Sequence, residues 1–561
     1  MLTEKVLNED VFHIEESSPE RHAFNPADVK GRDFTVAAEE MPHGYLTSFR
    51  FVGAILVIGV AMACGQGGFS LIAPVLPQIN QDIGPDSGLT WVALCYLLIT
   101  SIGLLIVGRV TDYLRSAMVV HLSKCHRRVR NRAECPSFDC RTDRIEVVVG
   151  ELVPIRYRFA AIAVVFIFII PVSAVGPAVS YAFIFNTKAG WRGIFYILIA
   201  LNKLSTILFY VFYHPPSFAM KHDTARKWEF VKNFDYIGMV LAISALLLLL
   251  MGLSWGGVLH PWKSAHVIST IVIGFFLLVA FFVYEAYADL KEPLVPLSLY
   301  RNRGWVATTL LWGTGSALHY ANAILWPAMV SVLYAPGHGW VRNGFLASVP
   351  GAAIVLGEFT SPLFKKYTNV QLRILFPIVG VLLACVATSN PDSVVRSTII
   401  IFLASYFIGW CEMINSTVST ISIDYQREIR TAVGTGGATR QLFSVIGVPP
   451  ALLKAGLPAS SIPAFILAVS VDPSANFRSI SGATPAIARA GARAYQEASA
   501  AAYGTVFLTT ISLSVVSMII TIWAPNVNQL LTRNVNVPIP GRNSDKVVGV
   551  RTDIEAVEQK V

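Results

Sequence analysis

Residues 233–288 read NFDYIGMVLAISALLLLLMGLSWGGVLHPWKSAHVISTIVIGFFLLVAFFVYEAYA, and across that length only Asp235, Lys263 and Glu285 carry charge. A bilayer core about 30 Å thick takes about 20 apolar residues per helix. The stretch therefore reads as two membrane spans, 233–254 and 266–288, with a short loop around Lys263 between them. The rest of the chain has the same character. Its 561 residues are 54% hydrophobic and 14% charged, whereas an average soluble domain is about 25% charged. Mean hydropathy is +0.56. This is an all-α integral membrane protein.

Working outward in both directions, further spans are predicted at 50–74, 90–110, 159–185, 190–213, 304–333, 344–364, 373–390, 397–423 and 504–524. A weaker candidate at 432–448 is short and contains Arg440. Short loops rich in Lys and Arg stay in the cytoplasm, and acidic residues hardly affect the choice. The run from Arg109 to Arg158 holds eleven such bases. Lys221, Arg226, Lys227 and Lys232 follow one later span, Lys291, Arg301 and Arg303 another, Lys365, Lys366 and Arg373 a third, and Arg427, Arg430 and Arg440 a fourth. The loops between them carry single bases, Lys263, Arg342 and Arg396. This alternation puts the opening stretch inside the cell.

The formal net charge of +9 is accordingly a topology signal together with attraction to anionic headgroups. Bases scattered among loops do not make the single basic face of a nucleic-acid binder. Residues 1–48 have no apolar core behind a basic start, so no signal or transit peptide is expected there. They read as a disordered, acid-rich cytosolic tail with Glu15, Glu16, Glu39 and Glu40. Of seven cysteines, Cys64, Cys95, Cys385 and Cys411 fall inside apolar segments, where a thiol packs as a small hydrophobe. No disulfide framework and no cofactor is implied.

Two local motifs point to a family. After the second span comes VGRVTDYLR, in which Gly108, Arg109, Asp112 and Arg115 resemble the loop between helices two and three of major facilitator transporters. Within PVSAVGPAVSYAF, Gly176 and Pro177 match the Gly-Pro core of the signature on helix five of antiporters in that superfamily. Proline removes a backbone donor and bends a helix, and glycine admits close helix approach. More specific is an ordered set of strings: GELVPIRYRF, GWRGIFYI, FYHPPSF, FDYIGMVL, EPLVPLSLYRNRGW, KAGLPASSIPAF and APNVNQLL. Together they resemble the fungal trichothecene-efflux-pump family, a branch of the fourteen-helix drug:proton antiporters with siderophore-iron transporters as close relatives. The resemblance runs from about Gly44 to Thr532.

That resemblance implies a major facilitator fold, with about 11–12 transmembrane helices present of a 14-helix plan. The implied layout is a tail at 1–48, an N-terminal bundle at 49–213, two linker helices with cytosolic loops at 214–303, a C-terminal bundle at 304–524 and a tail at 525–561. It also implies a central site open alternately to each side, with proton entry driving export of toxins, drugs or secondary metabolites. A small-molecule substrate, protons and the lipid bilayer are the expected partners of a monomer in a fungal plasma membrane. Import of ferric siderophores is the alternative on the same architecture.

Where the family has its third and fourth helices, residues 116–149 carry His121, Lys124, His126, Arg127, Arg128, Arg130, Arg132, Arg141 and Arg144. No such segment crosses a bilayer at about +2.5 to +3.5 kcal/mol per central charge. The run is either a real cytosolic insertion or the product of a wrong exon boundary or shifted reading frame. Its lack of periodicity and the clean return of family residues at Gly150 favour the second. His121, Cys125, His126, Cys135 and Cys140 are zinc-type ligands, but their spacings fit no paired Cys-x2-Cys knuckle. Most of a further helix is also missing after Gly447, so either 432–448 still crosses or the C-terminus lies outside. If these losses are real, the rival reading is a non-transporting, degenerate membrane protein.

Ionisable groups within spans are functional candidates because burying them is costly. Glu412, Glu358, His319 and Glu285 are the proton-coupling candidates, with Glu412 first and Glu358 second. Glu285, near a cytosolic helix end, also suits contact with water or a base. Lys203, beside Asn202, can snorkel or pair within the bundle. Trp312, Tyr320, Trp326, Tyr406 and Trp410 are candidates for lining a pocket for a bulky amphipathic molecule, although their helical spacing equally suits packing. No P-loop or His-Glu-x-x-His motif occurs, and no polar segment is large enough for a catalytic domain.

Overall fold

The computed structural model describes residues 47–84, 95–96, 99–105, 153–212, 234–256, 260–288, 290, 293–423, 431–440, 443 and 485–528. The motif at Gly108, Arg109, Asp112 and Arg115, the run 116–149 and the junction after Gly447 lie outside the described residues. The principal helices are α1 (Phe49–Ser70), α2 (Arg158–Ile167), α3 (Gly176–Asn186), α4 (Arg192–Phe212), α5 (Tyr236–Trp255), α6 (Ala265–Tyr287), α7 (Arg303–Met329), α8 (Trp340–Thr360), α9 (Thr368–Val386), α10 (Val394–Ile421) and α11 (Pro485–Ile520). Among the described residues, eight helices are long and apolar enough to cross a membrane.

Several spans begin at a polar cap, which supplies the acceptor that the first turn's N–H groups lack. Ser48 caps α1 through Phe51, Asp235 caps α5 through Gly238, Ser264 caps α6 through Val267 and Asn302 caps α7 through Trp305. The predicted span at 159–185 is broken into α2, a four-residue turn at Ile170–Ser173, and α3. Pro171 and Pro177 each sit in a first helical turn, where a missing N–H costs nothing.

The last span is longer than the predicted 504–524. α11 starts at Pro485 because the alanine-rich run before Gly504 favours helix without being apolar enough to read as membrane. Its beginning meets the 390–393 loop, where Arg493 donates to Asp392, and its end meets the start of α9, where Arg373 donates to Thr521 O. The start of α11 is thus at the end opposite the basic loops and its finish at the basic end, where α10 also finishes. Between them in sequence, residues 431–440 are helical. Ser101 Oγ donates to Ala438 O at 2.9 Å in the interior.

α5 and α6 pack on each other at glycines. A Cβ on Gly274 would lie 2.4 Å from Leu249 N. Only 17% of the apolar window of α6 is buried, so this pair presents its broad face to lipid. α1 and α2 share an apolar core with α9 and α10 at the basic end, where Phe51, Phe159 and Phe166 join Leu372, Phe376 and Ile414. There Arg158, wholly buried, donates from Nη1 to Thr420 O at 2.8 Å and from Nε to Val153 O at 3.3 Å. Its cation sits at the carbonyl end of α10, which the helix dipole favours. Toward the other end, Ala178 N donates to Ser348 Oγ at 3.2 Å.

Candidate functional site

Two helices carry polar side chains into the interior. In α7 these are Thr308, Thr309, Thr314, Ser316, His319 and Asn322, and in α10 Ser405, Glu412, Asn415, Ser416, Thr417 and Ser419. Lipid-facing positions cannot satisfy such groups, so the two helices turn these faces toward the bundle interior. α8 is brought hard against α10 by two glycines. A Cβ on Gly357 would lie 2.0 Å from Tyr406 O, and one on Gly409 would lie 2.1 Å from Ile354 O. These contacts fix the neighbouring Glu358 and Glu412 around a common space.

That space is a cavity of about 40 Å³ between the halves. Met62 and Gln66 of α1 with Phe166, Ile169 and Ser173 form one side, and Trp312, His319, Val355, Glu358, Glu412 and Arg440 the other. A liquid water occupies about 30 Å³, and drug-sized ligands need about 300–1,000 Å³. The described residues thus hold the space contracted, with room for little more than water.

Glu412 is the hub. Its Oε2 lies 2.9 Å from His319 Nδ1, the distance of a hydrogen bond donated by the ring, and 3.5 Å from Arg440 Nη2. The other oxygen, Oε1, is buried with no hydrogen-bond partner among the described residues. His319 stacks on Tyr320 with centroids 5.1 Å apart. The Arg440 guanidinium lies 5.4 Å from the Trp312 ring and 5.8 Å from that of Tyr320, within the range of cation–π attraction.

Of the four ionisable groups singled out from sequence, His319, Glu358 and Glu412 meet at this cavity. Glu285 does not, since its Oε1 accepts from Val295 N at 3.0 Å and ties α6 to the segment before α7. Lys203 is exposed on α4. Gly176 and Pro177 open α3, where Ser180 Oγ donates to Leu71 O at 2.7 Å. Among the aromatics, Trp312 lines the cavity and Tyr320 backs it. Trp326 donates to Leu346 O, Tyr406 pairs with Thr360, and Trp410 donates to Gln371; these three join helices. Sequence reasoning missed Gln66, Ser173 and Ser416 as lining groups and Arg440 as the partner of Glu412. Gln66 was detectable as a polar residue inside an apolar span, and Ser416 as the residue one turn after Glu412. Arg440 was visible only as an obstacle to a span.

The family model for the fungal trichothecene efflux pump (TRI12) matches residues 141–556. A trichothecene efflux pump TRI12 of Trichoderma arundinaceum is 26% identical over 408 residues, covering 68% of this chain and 67% of that protein. The trichothecene efflux pump TRI12 of Fusarium sporotrichioides is 23% identical over 551 residues, 90% of this chain and 91% of that one. An MFS-type transporter, prx5, of Penicillium rubens is 22% identical over 529 residues, 85% and 92% of the two chains.

Proposed function

The chain belongs to the fungal trichothecene efflux pump family, and from that premise we propose that it exports an oxygenated toxin or drug-like metabolite across the plasma membrane in exchange for protons. The matched relatives are named as efflux pumps and transporters, so export is carried forward rather than ferric-siderophore import. The observation that carries the proton-coupled reading is Glu412, a buried carboxylate at the cavity between the halves. One of its oxygens is held by His319 and Arg440, and the other has no hydrogen-bond partner among the described residues.

A buried acceptor without a partner is costly, and two things can satisfy it. A proton on Oε1 removes the charge, and a hydroxyl of the substrate donates a hydrogen bond to it. Both need the same lone pairs, so substrate and proton compete for one atom. Such competition is what exchange requires: a proton arriving from outside displaces the substrate, and its loss inside readies the site again. His319 and Arg440 keep the carboxylate in one position through the cycle, while Glu358 is a second acid on the same cavity. The two halves rock about this midplane site, and opening it requires parting Arg158 from Thr420 at the basic end or α3 from α8 toward the other. The protein acts as a monomer, each chain carrying its own cavity.

Reconstituted vesicles test this. An imposed proton gradient should drive uptake of a radiolabelled trichothecene into inside-out vesicles, and Glu412→Gln should bind the compound yet show no gradient-driven uptake. Gradient-driven uptake by Glu412→Gln at the unaltered rate would exclude Glu412 as the exchanging acid.

A further inference from the structure

At the basic end of α8 the chain makes a 3₁₀ turn, Ser361–Phe364, and turns left-handed at Tyr367 (φ 54°) before α9 begins. Between this turn, α9 and α10 lies a groove of about 560 Å³, inside the range of ligand pockets, about 300–1,000 Å³. Its walls are apolar: Leu363, Phe364, Val370, Ile374, Phe407 and Trp410. It faces away from the bundle, with Leu363 77% and Ile374 54% exposed, and it shares no residue with the central cavity.

Trp410 and Gln371 in the groove's wall are already paired. Trp410 Nε1 donates to Gln371 Oε1 at 2.9 Å, and Gln371 Nε2 donates to Lys366 O at 2.7 Å. Lys365 and Lys366 also line the groove, and among the described residues neither has a carboxylate partner. Both stand in a base-rich loop, which the positive-inside bias puts at the cytoplasmic face. An apolar channel in the membrane that ends at two uncompensated cations calls for an apolar chain that ends in an anion. Basic pockets between helices on this side bind acidic lipid headgroups.

We propose that this groove is a binding site for an anionic phospholipid of the cytoplasmic leaflet. An acyl chain lies along Val370, Ile374 and Phe407, and the headgroup phosphate meets Lys365 and Lys366. The site is independent of the transport reading, since it needs only the membrane and the two lysines.

The test uses the full chain in nanodiscs of phosphatidylcholine with a minor fraction of phosphatidylserine, with native mass spectrometry counting the lipids retained. Phosphatidylserine should be retained in preference, by roughly fivefold per lysine. Lys365→Gln with Lys366→Gln should abolish that preference, and the paired Arg substitutions should keep it. Equal retention of the two lipids by the unaltered chain would overturn the proposal, as would an undiminished preference in the Gln pair. Competitive displacement of phosphatidylserine by a trichothecene would also overturn it, because the groove would then hold the transported molecule. Should the Gln pair fail to fold, the comparison of lipids on the unaltered chain and on the Arg pair still decides.

Discussion

Arg440 and Glu412 meet with side chains 13% and 4% exposed, so removing Arg440 alone leaves the buried Glu412 charge with His319 as its one basic neighbour among the described residues. Breaking a buried pair from one side costs about 3–5 kcal/mol, while replacing both partners by apolar groups is often neutral. Arg440→Met should therefore lower the thermal midpoint of the detergent-solubilised protein sharply, and Arg440→Met with Glu412→Leu should recover most of the loss. Equal losses in the single and double variants would mean the two charges do not depend on each other. At this scale the sequence was half legible. Glu412, Glu358 and His319 announce themselves, because an ionisable side chain inside an apolar span needs a reason. Their partner does not. Arg440 is 28 residues beyond Glu412 by sequence number, and only the tertiary fold brings the two together, at 3.5 Å. Arg158 was counted among the topogenic bases, yet it is wholly buried and joins the bundles through Thr420 O, which no spacing rule reveals.

Among elements, the contact of α8 with α10 is the tightest constraint on the site. With Gly409 only 2.1 Å from Ile354 O by the position of an added Cβ, no side-chain rotation makes room, and the helices themselves must separate. Small residues are what let membrane helices approach this closely. Gly409→Val should displace Glu412 from Glu358 and sharply reduce the amount of folded protein recovered, as size-exclusion chromatography of a fluorescent fusion would show. Recovery at the unaltered level would contradict the packing described.

The start of α11 makes a weaker, pH-dependent tie. The Arg493 hydrogen bond holds the Asp392 carboxyl below its ordinary value of 3.8. A carboxyl depressed by folding adds stability above its unfolded pKa and loses it as pH falls through the folded one. The tie is therefore intact at neutral pH and fades below about pH 4. Being exposed, it contributes little. Between pH 5 and 3 the midpoint should fall slightly more for the unaltered chain than for Arg493→Gln; parallel curves would show that the tie carries no stability.

At the scale of the whole molecule, the described residues leave a cavity of about 40 Å³, too small for a drug-sized ligand, so binding one requires that the helices around it part. Gly344 offers a handle: a Cβ there would lie 3.4 Å from Ala178 Cβ, close to the separation a disulfide needs, about 3.5–4.5 Å. Ala178→Cys with Gly344→Cys should form a bridge under oxidation, stop export and regain it on reduction. Export by the fully bridged protein would mean the halves do not separate there. The fold class was legible throughout, because long apolar runs and loop bases follow from bilayer thickness and charge cost alone. Less legible were the helix ends: alanine-rich sequence before Gly504 extends α11 to Pro485 with no apolar signal, and the bend at Gly176 and Pro177 is foreseeable while the extra break at Pro171 went unremarked.

The proposed competition of proton and substrate for Glu412 Oε1 is tested most directly as proton release. Purified protein in weakly buffered detergent solution with a pH indicator, given a trichothecene, should release protons in proportion to the compound bound, and Glu412→Gln should bind it with no release. Binding without proton release by the unaltered protein, or an equal release by Glu412→Gln, would contradict the exchange at Glu412.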